Sequence, residues 1–185
     1  MGTLVQAVLR VNRVRPVGLV IVGDGPLRSW LERQVRGIPQ VQLAGYVEDR
    51  AVVAALLASA DAMLHGSAAE TFGFVLAEAM CSGLPIVAPN RGGAFDLVEP
   101  EFSETYEPGD VEACAQAVLR LLARQPGPLR EASLAASERK VQTQEAHFEA
   151  LFSCYAQLCS AEGGPARAVT PRFSGEAGAA APLRG

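Results

Sequence analysis

Short apolar runs alternate with amphipathic runs along most of this 185-residue chain, and glycine or proline stands at nearly every junction. Val17 to Val22 is continuously apolar apart from one glycine and ends at Gly23-Asp24-Gly25-Pro26, which reads as a buried strand and a turn. Leu27 to Val35 reads as a helix, with Pro26 suited to its first turn. Val41 to Val47, Ala62 to His65 and Leu84 to Ala88 read as further strands. Between them Glu48 to Ala60, with Asp49 as a possible N-cap, and Phe74 to Cys81 read as helices. Gly92-Gly93 opens a short helix to Val98, Thr105 to Glu107 is a short edge strand, and Val111 to Ala123 is strongly amphipathic. The alternation predicts an α/β fold, a Rossmann-like parallel sheet with helices on both faces. Such sheets bind ligands at the C-terminal ends of their strands. The loops to weigh are therefore 23–26, 45–49, 65–73 and 89–93.

The pattern changes past Pro128. Leu129 to Lys140 and Thr143 to Cys159 read as two helices, the second with an apolar stripe of Phe148, Leu151, Phe152, Tyr155 and Leu158. The remainder is rich in Gly, Ala, Pro and Arg. The expected organisation is a nucleotide-type domain over 1–128, C-terminal helices over 129–160 and a disordered tail over 161–185.

Composition removes several function classes. A net charge of −4 without a basic block argues against nucleic acid as a partner. No apolar run approaches the length of a membrane span, and no secretory signal pattern opens the chain, so a cytoplasmic protein is expected. The four cysteines form no C-x-x-C and there are two histidines, so no metal site is expected. Cys114 and Cys154 lie in apolar helical stretches and are expected to be buried, reduced thiols.

Glu70 and Glu78 bracket the most informative segment, Glu70-Thr71-Phe72-Gly73-Phe74-Val75-Leu76-Ala77-Glu78. Glu70 belongs to the loop after the third strand. Glu78 lies about one and a half turns into the next helix, roughly 8 Å along its axis. A helix N-terminus offers backbone N–H groups and a positive dipole end that suit a diphosphate. Gly73 lets the backbone approach such a ligand closely. Glu78 could then accept hydrogen bonds from ribose hydroxyls, with Glu70 nearer a sugar. Solvated glutamates produce the same spacing, so geometry alone leaves both readings open.

The stretch Glu70 to Pro89, ETFGFVLAEAMCSGLPIVAP, resembles the signature of retaining glycosyltransferase family 4, the group 1 glycosyltransferases. Their pattern is E-x7-E with an internal F-G, then E-A-M-x-x-G-x-P. VIVGDGP at 20–26, LAGYVED at 43–49, RGGAFDLV at 91–98 and YEPGD at 106–110 resemble further segments of the family in the same order, with Asp96 where glutamate is usual. The resemblance implies the C-terminal, donor-binding half of a GT-B fold and a metal-independent transferase whose donor is a nucleoside diphosphate sugar. It implies Glu70 as the catalytic residue near the donor sugar. It implies donor contacts from Phe72, Gly73 and Phe74, ribose contacts from Glu78, base contacts from Tyr46 and Val47, and close loop approach at Gly23 and Gly25.

The same resemblance implies partners. An acceptor-binding N-terminal domain, and a strand with an arginine and a lysine that neutralise the departing diphosphate, are expected ahead of Gly2. The complete enzyme is expected to associate peripherally with a membrane. A donor-binding module without transfer activity is the alternative. A nucleotide-sugar epimerase or glucan phosphorylase fits the E-x7-E segment less well.

Overall fold

The computed structural model describes residues 2–69 and 73–161. One compact unit runs to Val141 and a second begins at Gln142. In the first, α1 (Gly2–Val11), β1 (Leu19–Val22), α2 (Arg28–Val35), β2 (Val41–Gly45) and α3 (Arg50–Ser59) precede β3 (Met63–Leu64) and α4 (Phe74–Cys81). Then follow β4 (Ile86–Pro89), α5 (Gly93–Leu97), β5 (Ser103–Tyr106), α6 (Val111–Ala123) and α7 (Pro126–Lys140). The second unit holds α8 (Gln144–Ala161).

Every strand pairing is parallel, as the alternation of elements predicts, but the strands form two sheets rather than one. β1 pairs with β2, and β3-β4-β5 form a three-stranded sheet centred on β4. β4 is buried on both faces, and its alternating side chains enter two different cores. Val87 joins Leu4, Ala7, Val11, Cys114 and Leu121 under α1 and α6. Ile86 and Ala88 join Leu76, Met80 and Phe102 under α4, with Ala136 of α7 against them. A third cluster places Val5 of α1 and Leu31 of α2 over Leu19, Ile21, Val41 and Leu43.

Local chemistry sets the helix ends. Asp49 caps α3 by accepting from Ala51 N at 2.8 Å, and Asp110 caps α6 by accepting from Ala113 N at 2.9 Å. Pro126 opens α7, where its missing N–H costs nothing. Two buried hydroxyls are paired: Tyr106 Oη donates to His65 O at 2.8 Å, and Ser133 Oγ donates to Leu84 O at 3.0 Å. Burial pushes the Tyr106 hydroxyl and the Cys114 thiol up, the thiol to about 11.

The structure departs from the sequence expectations in four places. The run ending in Val22 reads as a strand buried on both faces, yet Val20 and Val22 are 49% and 43% exposed, because helices cover only the Leu19–Ile21 face. Residues 2–11 form a helix that the strand reading passed over. Its Leu4, Val5, Ala7, Val8 and Val11 have helical spacing and are all buried. The boundary expected after residue 128 lies instead after Val141, since α7 packs on α4 and shares its core. Cys154, expected to be buried like Cys114, is exposed on α8, whereas Cys114 of α6 is buried. Phe148, Phe152, Tyr155 and Leu158 are exposed, with the Phe148 and Phe152 rings stacked at 6.2 Å. The tail expected to be disordered lies, from residue 162, outside the described residues.

An ion cluster ties α7 to the end of α5. Lys140 Nζ donates to Asp96 O and Leu97 O at 3.0 and 3.1 Å and pairs with Glu99 at 3.1 Å, while Arg139 pairs with Glu99 at 2.7 Å. The hydrogen bond from Lys140, with the nearby cations, holds the Glu99 carboxyl below its usual 4.5. A depressed carboxylate pKa stabilises the fold above the unfolded-state value, and that contribution is lost as pH falls through the folded value. Glu99→Gln should therefore cost about 0.5–1 kcal/mol at neutral pH, a partly exposed pair being worth no more. Thermal melts should show the gap between the two proteins closing as pH falls below 4.5. A gap that is independent of pH would rule out the ionic origin.

Candidate functional site

The expected site residues that are described fall into two clusters. The first lies where β1 and β2 end. Gly23 extends the ladder by donating to Gly45 O at 2.7 Å. Asp24 then folds the loop back, its carboxylate accepting from Gly25 N at 2.7 Å and pairing with Arg28 at 3.1 Å. Arg28 also pairs with Glu32 at 2.9 Å, one turn further along α2. Gly45 has a φ of +72°, and a Cβ there would lie 2.9 Å from Arg28 Nη1. The guanidinium thus rests against bare backbone, a close approach that any side chain at Gly45 would block.

This clamp borders a cavity of about 250 Å³ lined by Ile21, Leu43 and the 23–28 loop. A Cβ at Gly23 or Gly25 would meet nothing within 4 Å. Internal packing therefore does not require Gly25, and the loop faces open space. Tyr46 is 73% exposed beside the cavity, and Val47 is half-buried. Arg28 was not among the residues singled out from the sequence, because it reads as a solvent-facing helix position. The recurrence of charge at 24, 28 and 32, one helical turn apart, was the available signal.

The second cluster is the start of α4. Gly73 is buried and is the N-cap, with φ 82° and ψ 52°, a left-handed conformation that suits glycine. Its carbonyl accepts from Leu76 N at 2.8 Å and Ala77 N at 3.2 Å, and no side chain caps the helix. The first turn of α4 carries the positive end of the helix dipole.

Burial fixes how α4 is turned. Leu76, Ala77, Ala79 and Met80 are buried, while Phe74, Val75, Glu78 and Cys81 form the exposed stripe. Phe74 and Glu78 are four residues apart and share one face. Among the described residues the Glu78 carboxylate has no hydrogen-bond or ion-pair partner, so it can accept from a ligand without losing an internal bond. Glu70 and Phe72 lie outside the described residues.

Neighbouring loops complete the surroundings. His65 is buried at the end of β3, and Ser67 Oγ accepts from Ala69 N at 3.4 Å. Glu107 holds the loop after β4, pairing with Arg91 at 2.8 Å and accepting from Asn90 at 3.2 Å. Asp96 is exposed in α5 and uses its carbonyl to bind Lys140. The α1 residue Leu4 packs over Gly66, just past β3, and its neighbour Val5 packs with Leu19 and Ile21 of β1. Among the described residues no cluster of His, Cys, Asp and Glu could hold a metal ion, and no helix is long and apolar enough to cross a membrane.

An exposed glycine loop, an uncapped helix start and a carboxylate one turn on make a site suited to a phosphorylated nucleoside. Known proteins share the fold. Residues 1–124 match the family described as Glycosyl transferases group 1. The chain is 38% identical over 106 residues to a GDP-mannose-dependent alpha-(1-6)-phosphatidylinositol dimannoside mannosyltransferase of Mycobacterium tuberculosis, covering 57% of this chain and 27% of that protein. It is similar to the crystal structure of Anabaena Alr3699/HepE in complex with UDP and glucose, with a TM-score of 0.67 and 25% identity over 83% of this chain and 44% of that one. The fold also matches that of the C-terminal domain of a group 1 glycosyl transferase family protein, LpcC, from Francisella tularensis, with a TM-score of 0.67 and 19% identity over 77% and 79% of the two chains. The chain thus spans about a quarter of the length of the mycobacterial relative. With residues 1–124 matching that family's model on a shared fold, the chain belongs to the group 1 glycosyltransferases.

Proposed function

We propose that this chain binds the nucleoside diphosphate sugar of a retaining glycosyl transfer, within a longer protein that also holds the acceptor. The observation that carries the reading is α4. Its start is capped by Gly73 in a left-handed conformation, and its exposed stripe presents Glu78, which has no internal side-chain partner among the described residues. In this reading the distal phosphate lies at the first turn and is stabilised by the helix dipole and backbone N–H groups. Glu78 accepts hydrogen bonds from the ribose hydroxyls. Phe72, Gly73 and Phe74 line the sugar side, and Glu70 lies against the donor sugar as the catalytic carboxylate. Tyr46 and Val47, with the Gly23–Gly25 loop, border the base.

Departure of the diphosphate leaves charge that fixed dipoles must meet, and such terms are commonly several kcal/mol. The α4 dipole contributes roughly 0.3–1 kcal/mol, up to about 2 in a favourable geometry. The remaining stabilisation and the positioning of the nucleophile fall to the rest of the longer protein, and we propose that no metal takes part. The mycobacterial relative acts, by its name, on a phosphatidylinositol dimannoside. An acceptor of that kind would hold the complete enzyme peripherally at a membrane surface, on its cytoplasmic side.

Two substitutions test the donor site. Glu78→Ala should weaken UDP or GDP binding by about 1.5–3 kcal/mol, the usual worth of hydrogen bonds to a charged group. Calorimetry with both nucleotides checks it, and unchanged affinity for each would remove Glu78 from the site. Gly73→Val puts a branched side chain at φ 82°, costing about 1–3 kcal/mol of stability, and fills the phosphate position. Its melting temperature should fall, and the upward shift that nucleotide gives the unmodified chain should disappear. A variant that melts lower yet keeps the full ligand shift would show that the phosphates lie elsewhere.

A further inference from the structure

The clamp at the end of β2 leaves hydrogen-bond donors unused. A guanidinium carries five N–H groups and no acceptor. Arg28 gives the one on Nε to Glu32 and one on Nη1 to Asp24. Among the described residues the second Nη1–H and both Nη2–H groups have no acceptor. The side chain is 43% exposed and lines the cavity of about 250 Å³ beside the Gly23–Gly25 loop.

Charge and shape limit what those donors can take. Asp24 and Glu32 both pair with the one guanidinium, at 3.1 and 2.9 Å, so the group carries a net negative charge. A phosphate brought there would meet two carboxylates against one cation and be repelled. A neutral group with exposed lone pairs meets no such penalty. Ile21, Leu31 and Leu43 give the cavity apolar walls, while Asp24 and Arg28 supply its charged side chains. Sites that enclose a whole small ligand run to roughly 300–1,000 Å³. This smaller cavity suits one planar ring system with apolar faces and a polar edge, the build of a nucleobase. A Cβ at Gly45 would lie 2.9 Å from Arg28 Nη1, so the guanidinium rests against the residue just before the exposed Tyr46.

The bases differ in how they meet a fork of donors. Guanine presents O6 and N7 as adjacent acceptors, and one arginine binds both. Adenine presents N7 beside its N6 amino group, which sets donor against donor. In uracil the O4 and O2 acceptors are separated by the N3–H donor, so only one of them can meet the fork.

We propose that Arg28 selects the base of the donor, its free N–H groups donating to O6 and N7 of a guanine seated in the cavity that Ile21 and Leu43 line. The inference rests on the donor-site reading given above and adds to it the class of nucleotide. Asp24 and Glu32 hold the guanidinium from two sides and so set the direction of the fork. They are positioning residues, and Arg28 is the one that touches the base. Glycine is needed at position 45 because any side chain there would displace the guanidinium.

The test is calorimetry of the 185-residue chain with GDP, UDP, IDP and 7-deaza-GDP, repeated for Arg28→Met and Arg28→Lys. GDP should bind about tenfold or more tightly than UDP. IDP lacks the 2-amino group but keeps O6 and N7, so it should match GDP to within about threefold. The 7-deaza compound lacks N7 and should bind about fivefold or more weakly than GDP. Arg28→Met should bring GDP down to the level of UDP, with UDP itself weakened by about threefold at most. Arg28→Lys keeps the charge without the fork and should retain only part of the preference. Exposed ion pairs contribute little to stability, so both variants should fold, and thermal melts check that. Three results would overturn the selection while leaving the donor site standing: equal affinity of the unmodified chain for GDP and UDP, undiminished binding of 7-deaza-GDP, or an equal loss of both nucleotides in Arg28→Met. Failure of the unmodified chain to bind any of the nucleotides would overturn the donor-site reading, and the selection with it.

Discussion

Burial of α4 is the constraint on which the site depends. Leu76, Ala79 and Met80 are fully buried between β4 and α7, so the helix cannot rotate without opening the core. Its remaining face is thereby obliged to carry Phe74 and Glu78, and its start is obliged to fall at Gly73. The same packing that stabilises the fold thus fixes the direction of the helix dipole and the position of the carboxylate. Ser133 strengthens the arrangement from behind, satisfying the Leu84 carbonyl where the chain enters β4.

How much was legible in the sequence follows from how local each signal is. The bounds of α4 and α6 could be read directly, because Ser82-Gly83 ends one and Asp110 caps the other. Parallel pairing was legible too, since regular strand–helix alternation supplies the crossovers that parallel neighbours need. Burial was not local and went less well. Val20 and Val22 belong to an apolar run, but whether they are covered depends on a partner surface elsewhere. The buried stripe of α1 was present at helical spacing, yet attention to strands and glycine loops left it unassigned. Arg28 acquires its place only when Gly45 folds beside it, a contact across 17 residues that no local pattern announces. Glu70 and Phe72 lie outside the described residues, so their roles still rest on the family resemblance.

In the proposed donor site, the two clusters divide the work expected of a nucleotide site. The loop at Gly23–Gly25, with the cavity beside it, offers shape and open backbone, while α4 offers a dipole and a carboxylate. α1 packs near the ends of both strands, with Leu4 over Gly66 past β3 and Val5 against Leu19 and Ile21 of β1. A ligand that touches both clusters is the account's central claim, and amide chemical shifts report it residue by residue. Titrating the isotope-labelled chain with UDP-glucose and GDP-mannose should, for at least one of them, shift the amides of Gly23, Gly25, Tyr46 and Val47 together with those of Gly73, Val75 and Glu78. Shifts confined to one cluster, or centred on residues remote from both, would contradict the account.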